Sequence, residues 1–278
     1  MVSFIKKIYI NYYIMNIYSC IDLINIEKIF VLYYSIYLNS SNFFDYNFYL
    51  LVDDDPKDVI IPSFLRGRIK IEQFIISDEW EELLMEFNKY FYKKCSWCKN
   101  DMNFARFFIF DVFTDLERVV YLDWDMIVQA DLIELKDYYN KDNTIVAKTK
   151  ENYKISSMIF NTKVNFHSMK VFMGDSFKDL GYNSGFYIIS KDKFESNYLY
   201  NHINNLIEVQ KKQQLFKFGT QVIMNLLTYE EHEFIDYKWN TNQKDKSVKI
   251  IHWCGKNKPW LTDDKVWYDY YNKFKKLK

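Results

Sequence analysis

Glycine and proline are scarce: 278 residues contain six Gly and three Pro. That scarcity excludes collagen-like repeats and Pro- or Gly-rich linkers, and no internal repeat or low-complexity tract divides the chain. Four cysteines in this length do not make a disulfide framework, so a reducing compartment is the simpler reading. Net charge is missing too. Thirty-seven Lys and Arg balance 37 Asp and Glu, which removes any global pull toward nucleic acid or an acidic membrane. A run of about 18 uncharged apolar residues, enough to span a bilayer, is also lacking. Asn11, Asn16, Asp22, Asn25, Glu27 and Lys28 interrupt the aromatic stretch from Ile8 to Leu38. Lys6 and Lys7 precede it, but it is full of Tyr and Asn and has no small-residue cleavage site of the kind a signal peptide needs. The expectation is a soluble, cytoplasmic chain with no membrane anchor and no nucleic-acid partner.

What is present is a globular composition, 49% hydrophobic and 27% charged. Tyr and Phe, 24 of each, are inflated along with Ile, Asn and Lys, the signature of an AT-rich genome such as that of a large DNA virus or an intracellular parasite. A tyrosine therefore carries little functional weight here, and a glycine carries more. Tyr46 to Val52 reads as a strand ended by Asp53-Asp54-Asp55-Pro56, and Arg118 to Leu122 as a short β-branched strand that stops at Asp123. Phe186 to Ile189 is another, and Val248 to Ile251 a late one that stops at His252. Phe104, Phe107, Phe108 and Val112 recur at helical spacing, as do Leu199, Ile203, Leu206 and Ile207. Strands alternating with helices predict an α/β fold with a mostly parallel central sheet flanked by helices. One domain is expected over 1–278, with 1–13 an irregular extension and 261–278 a basic, aromatic tail.

Four segments carry chemistry. Asp123 and Asp125, spaced i, i+2 just past a buried strand, can grip one divalent cation, and ligands of open α/β sheets gather at the carboxyl ends of strands. Asp53-Asp54-Asp55 is a rival acidic cluster, read as a solvated turn before Pro56. His252 follows its own strand and opens His252-Trp253-Cys254-Gly255-Lys256-Asn257-Lys258-Pro259-Trp260. There a metal ligand, a glycine for close backbone approach to a diphosphate and a lysine to pair with it are in reach of one another. Gly181-Tyr182-Asn183-Ser184-Gly185 offers an amide and a hydroxyl to sugar hydroxyls, and Gly219-Thr220-Gln221 opens a helix. Four of the six glycines lie in these segments, which supports a shared site.

Tyr121-Leu122-Asp123-Trp124-Asp125, followed by Ile127-Val128 and Asp131-Leu132, resembles the YLDxDxIVxxDL signature of family 8 glycosyltransferases. Asn183-Ser184-Gly185, the segment from Gln221 to Asn225 and the HxxGxxKPW run resemble that family's other hallmarks in order, over roughly Ile14 to Trp260, with the glycogenin branch the nearest in length and ending. The resemblance implies a GT-A (Rossmann-like) fold, a UDP-sugar donor, Mn²⁺, and transfer with retention at the anomeric carbon. Carried over by position, Asp123, Asp125 and His252 hold the metal and Trp124 offers its backbone to the ribose. Arg106, Gly255 and Lys258 serve the diphosphate. Asn183, Ser184, Thr220 and Gln221 face the donor sugar, and Gln221, Asp125 and Lys258 are nearest the chemistry. Two positions depart from the pattern: Thr220 stands where relatives have Asp, and Lys217 where the glycogenin branch has an acid. The uracil contacts are expected near Ser19 to Asp22, on an N-terminal strand best registered over Met15 to Ile21.

The functional expectation is a Mn²⁺-dependent hexosyltransferase, with UDP-glucose the leading donor. Its acceptor would be a protein or glycan, including a tyrosine of the chain itself, and a homodimer is expected. The alternatives are a transferase decorating surface or capsid glycans with another UDP-sugar, and a UDP-sugar-binding protein without turnover. Cys95-Ser96-Trp97-Cys98 is a lone CxxC without a second pair, read as loop rather than zinc site. Trp267, Tyr268, Tyr270 and Tyr271 are read as covering the core or a subunit contact, and the terminal lysines as solvated.

Overall fold

Strand β1, Met15–Ile21, is buried along nearly its whole length, as a strand covered on both faces must be. In the computed structural model, which describes residues 14–89, 100–148, 154–155, 180–213, 219–229 and 231–277, it lies near the middle of a seven-stranded sheet ordered β3-β2-β1-β4-β7-β6-β8. The others are β2 (Tyr46–Val52), β3 (Ile69–Gln73), β4 (Arg118–Leu122), β6 (Thr144–Ala147), β7 (Phe186–Ser190) and β8 (His232–Ile235). All run parallel except β7, which is antiparallel to both its neighbours. The edge strand β3 alternates half-buried Ile69, Ile71 and Gln73 with exposed Lys70 and Glu72, a charged edge that discourages pairing with another chain.

One face of the sheet is covered by α1 (Ile26–Asn39), whose residues from Ile29 to Ile36 are all buried because it is sandwiched beside β5 (Met126–Val128) and the C-terminal helix α8 (Lys265–Lys275). Within that run the buried Ser35 hydroxyl is satisfied: it donates to the Leu32 carbonyl at 2.6 Å and accepts from the Val128 amide at 2.9 Å. The other face holds α2 (Asp78–Lys89), the short helices α3 (Asp101–Ala105) and α4 (Ile109–Val112), and the long α6 (Ser196–Gln213) and α7 (Gly219–Leu227). A further one-turn helix, α5 (Lys136–Tyr139), lies before β6. Strand β9 (Ile250–His252) pairs antiparallel with β5 in a second, two-stranded sheet.

The expected strands β1, β2 and β4 appear over the expected residues. Two expectations need correction. The late strand begins at Ile250 rather than Val248, and it includes His252 instead of stopping before it, because Val248 is turned back onto Asp245 through its amide at 3.2 Å. The Phe104-to-Val112 periodicity is not one helix but α3 and α4, separated by a turn in which the Phe107 amide bonds the Phe104 carbonyl at 2.9 Å. Within the stretch read as a tail, α8 forms and buries Trp267 and Phe274, capped by Asp264. The 1–13 extension, the Cys95–Cys98 pair and Lys217 lie outside the described residues.

Candidate metal and nucleotide-sugar site

Alternation along buried β4 puts Val119, Tyr121 and then Asp123 on one face, at the carboxyl end of the strand. Two residues later Asp125 sits in the turn into β5. The β5–β9 pairing sets His252 opposite Met126, and the Trp253 amide bonds the Asp125 carbonyl at 3.1 Å. Side chains from two stretches remote in sequence thereby converge. His252 Nε2 is 3.3 Å from Asp125 Oδ1 and 3.6 Å from Asp123 Oδ2, and one ligand atom from each residue lies within 4.8 Å of the others. Ligand atoms about 2 Å from one small cation stand about 3 Å apart at right angles, so this spacing suits a single ion. Gly185 makes the room: a Cβ there would fall 2.3 Å from His252 Cε1 and 2.8 Å from Asp123 Oδ2. Asp53-Asp54-Asp55 plays no part; Asp53 caps the Leu23 amide at 2.6 Å and Asp55 the Lys57 amide at 3.0 Å.

The charges of the cluster are tightly matched. Burial alone would push the Asp125 carboxyl up, but His252 and Lys258 outweigh it and hold the group below its ordinary range. Burial likewise favours a neutral His252, yet Cys254 and Asp125 lift its pKa well above 6.5. Lys258 is ion-paired to Asp125 Oδ2 and donates to the Trp253 carbonyl at 3.3 Å. Asp123 is held from behind: Tyr121 donates to its Oδ1 at 2.7 Å and Arg106 at 3.4 Å. Arg106 is buried, its guanidinium 4.8 Å from the Tyr121 ring centroid, and also donates to the carbonyls of Asn103 (2.9 Å) and Ser184 (3.1 Å). Against the burial penalty, Tyr121 and Asp123 keep it charged.

The cluster opens into a cavity of about 420 Å³, within the size range of small-ligand sites. Asp123, Trp124, Asp125, Arg106, Asn183, Ser184, Thr220, Gln221, His252, Gly255 and Lys258 all line it. Gly255 adopts φ +83°, a backbone conformation glycine takes without strain. The Trp124 indole stacks on Trp260 with centroids 4.7 Å apart, and the Lys28 ammonium caps the pair, 4.5 Å from the Trp260 ring. On the opposite wall the Asn183 amide donates to Gln221 Oε1 at 3.3 Å, and the buried Thr220 hydroxyl to Asn103 Oδ1 at 3.4 Å. Of the segment expected near uracil, Cys20, Ile21 and Asp22 reach the cavity, while Ser19 turns away to bond the Leu122 carbonyl at 2.8 Å.

Three residues to which the sequence assigned no role also belong to this assembly. Tyr121 was legible from its place two residues before Asp123. Asn103 gave no signal beyond its nearness to Arg106. Asn240, which bonds His252 Nδ1 at 2.8 Å, gave none.

Comparison with known proteins follows the same lines. The model of glycosyl transferase family 8 matches residues 10–264. Among curated proteins, a probable galacturonosyltransferase-like 9 of Arabidopsis thaliana is 23% identical over 182 residues, 60% of this chain and 46% of that protein. The glycosyltransferase 8 domain-containing protein 1 of Danio rerio is 24% identical over 188 residues, 57% and 52% of the two chains. The chain thus spans about half the length of these relatives. Among solved structures, the galactosyltransferase LgtC, in complex with donor and acceptor sugar analogs, superposes with a TM-score of 0.64 at 16% identity, covering 95% of each chain. GlyE of Streptococcus pneumoniae superposes at 0.60 and 19% identity, over 92% of this chain and 60% of that one. These likenesses establish the GT-A fold.

Proposed function

The chain belongs to glycosyl transferase family 8, and from that premise we propose that it transfers a hexose from a UDP-sugar to a protein or glycan acceptor, with Mn²⁺ and with retention. The observation that carries the reading is the convergence of Asp123, Asp125 and His252 on one point at the mouth of a cavity with Gly255 and Lys258 on its rim. The donor set fits the ion: an imidazole beside two carboxylates favours Mn²⁺ over Mg²⁺, which prefers oxygen and water. When bound, the cation supplies a Lewis acid that stabilises negative charge on the departing UDP.

The chain's own residues do the rest. Arg106 and Tyr121 hold Asp123 in place from the buried side. Lys258, ion-paired to Asp125 at the cavity wall, would offer a mobile ammonium to the diphosphate. Asn183 and Gln221 orient the sugar from the opposite wall. Among the described residues that wall is formed by Asn183, Ser184, Thr220 and Gln221, none of which is a carboxylate to act as nucleophile. Same-face attack, with the leaving phosphate accepting the acceptor's proton, is therefore the route proposed.

For the donor, UDP-glucose is the leading reading. A UDP-hexuronate is the second, favoured by the uncharged Thr220, Asn183, Ser184 and Gln221 among the described residues of the sugar wall and consistent with the name of the Arabidopsis relative. A panel of UDP-sugars with Mn²⁺ decides both. Hydrolysis or transfer of one donor, abolished in Asp125→Ala, is the expected result, and intact-mass increments of one sugar on the chain itself identify self-transfer. UDP binding without turnover of any donor sinks the transferase reading.

A further inference from the structure

We propose that Asn240 is a positioning residue that joins the metal ligand His252 to the sugar-facing amides Asn183 and Gln221; the proposal rests on the functional reading above and deepens it. Asn240 closes a 3-10 turn (Tyr237–Trp239), and the next residue runs beside β9: the Thr241 amide bonds the Ile250 carbonyl at 3.3 Å and the His252 amide bonds the Thr241 carbonyl at 2.8 Å. The Asn240 side chain, buried, is thereby fixed between two walls of the site.

Its amide orientation follows from its partners. The Gly185 amide donates to Asn183 Oδ1 at 2.9 Å, which identifies that atom as the oxygen. Asn240 faces this oxygen at 3.2 Å and the Asn183 carbonyl at 3.0 Å, two acceptors that only its Nδ2 can satisfy. Its Oδ1 therefore points at His252, 2.8 Å from Nδ1, and the imidazole must donate there. Cys254 Sγ, 3.2 Å from the same nitrogen, is the weaker competing partner. With Nδ1 carrying a hydrogen toward Asn240, Nε2 is the nitrogen presented to a cation, the one already facing Asp123 and Asp125. In the other direction, Asn183 with its oxygen engaged donates through Nδ2 to Gln221 Oε1. One directed chain, His252 to Asn240 to Asn183 to Gln221, spans the site from β9 to α7.

Each half of Asn240 can be removed separately. Asn240→Asp keeps an oxygen for His252 but has no hydrogen for Asn183; Asn240→Ala removes both. The experiment measures Mn²⁺ affinity by calorimetry in the presence of UDP, KM and kcat for the preferred donor, and denaturation midpoints. Asn240→Ala is expected to weaken Mn²⁺ about 10- to 100-fold, the usual effect of losing a partner behind a metal ligand. Asn240→Asp is expected to hold Mn²⁺ near the wild-type affinity while raising donor KM or lowering kcat. In the metal-free protein, the denaturation losses of Asn240→Ala and His252→Ala should fail to add, as should those of Asn240→Ala and Gln221→Ala. Additive losses in both cycles, wild-type Mn²⁺ and donor parameters in Asn240→Ala, or equal Mn²⁺ loss in both Asn240 variants overturn the proposal. If the wild type itself fails to bind Mn²⁺ or UDP, the functional reading falls, while the metal-free cycles still decide the role of Asn240.

Discussion

Gly185 shows how a single atom's absence shapes the site. Its neighbours are the very side chains that would hold the cation, and a methyl group there would overlap His252 and Asp123 at 2.3 and 2.8 Å. Gly185→Ala is therefore predicted to displace both ligands, destabilising the fold by about 1–3 kcal/mol, as overpacking does, and abolishing Mn²⁺ binding by calorimetry. Wild-type Mn²⁺ affinity in that variant contradicts the placement of the ligands. At this scale much was legible. Asp123 and Asp125 announce themselves by following a buried strand, and His252 by preceding a glycine and a lysine at short spacing. That Thr220 brings no charge to the cavity was legible too. Asn240 was not, since its meaning comes wholly from partners on other elements: no spacing in the chain relates it to Asn183 or Gln221. Arg106 and Lys258, expected at a diphosphate, line the cavity and pair with Asp123 and Asp125, since carboxylates withdrawn from water draw the nearest cationic groups.

Elements were legible where a buried run meets a strong stop. β2 ends at Asp53-Asp54-Asp55-Pro56 and β4 at Asp123, and the sequence pattern located both. β9 was harder, since a strand of three residues leaves no periodicity to read. The α8 start offers a test at this level. Asp264 Oδ1 accepts from the Val266 and Trp267 amides, and its Oδ2 from Trp253 Nε1 at 3.0 Å and from Lys244. It thereby ties the C-terminal helix to the segment carrying His252 and Lys258. Asp264→Ala is predicted to lose about 1 kcal/mol of cap and about 1–3 kcal/mol from the unpartnered indole N–H, measured by urea denaturation at pH 7. Burial alone would raise the Asp264 pKa, but Lys244 and Trp253 hold it below 3.8. The unfolded chain then takes up the proton first, so this charged contribution is whole above about pH 4 and fades as pH falls through the folded value. The stability gap between wild type and Asp264→Ala should accordingly narrow at pH 3; a gap that widens there refutes the assignment.

For the molecule as a whole, the sheet order explains why one end gathers the chemistry. Parallel β1 and β4 deliver Cys20 to Asp22 and Asp123 to the same edge. The reversed β7 is entered there through Asn183 to Gly185, and the small β5–β9 sheet folds His252 over that edge. None of the helices among the described residues is long and apolar enough to cross a membrane. On the proposed function, the cation seat and the nucleotide seat are a single site. Calorimetric titration of UDP into the protein, with Mn²⁺ and then with chelator, tests it most directly. The prediction is binding that requires Mn²⁺ and disappears in Asp125→Asn; UDP affinity unchanged by chelator and by that substitution would contradict it.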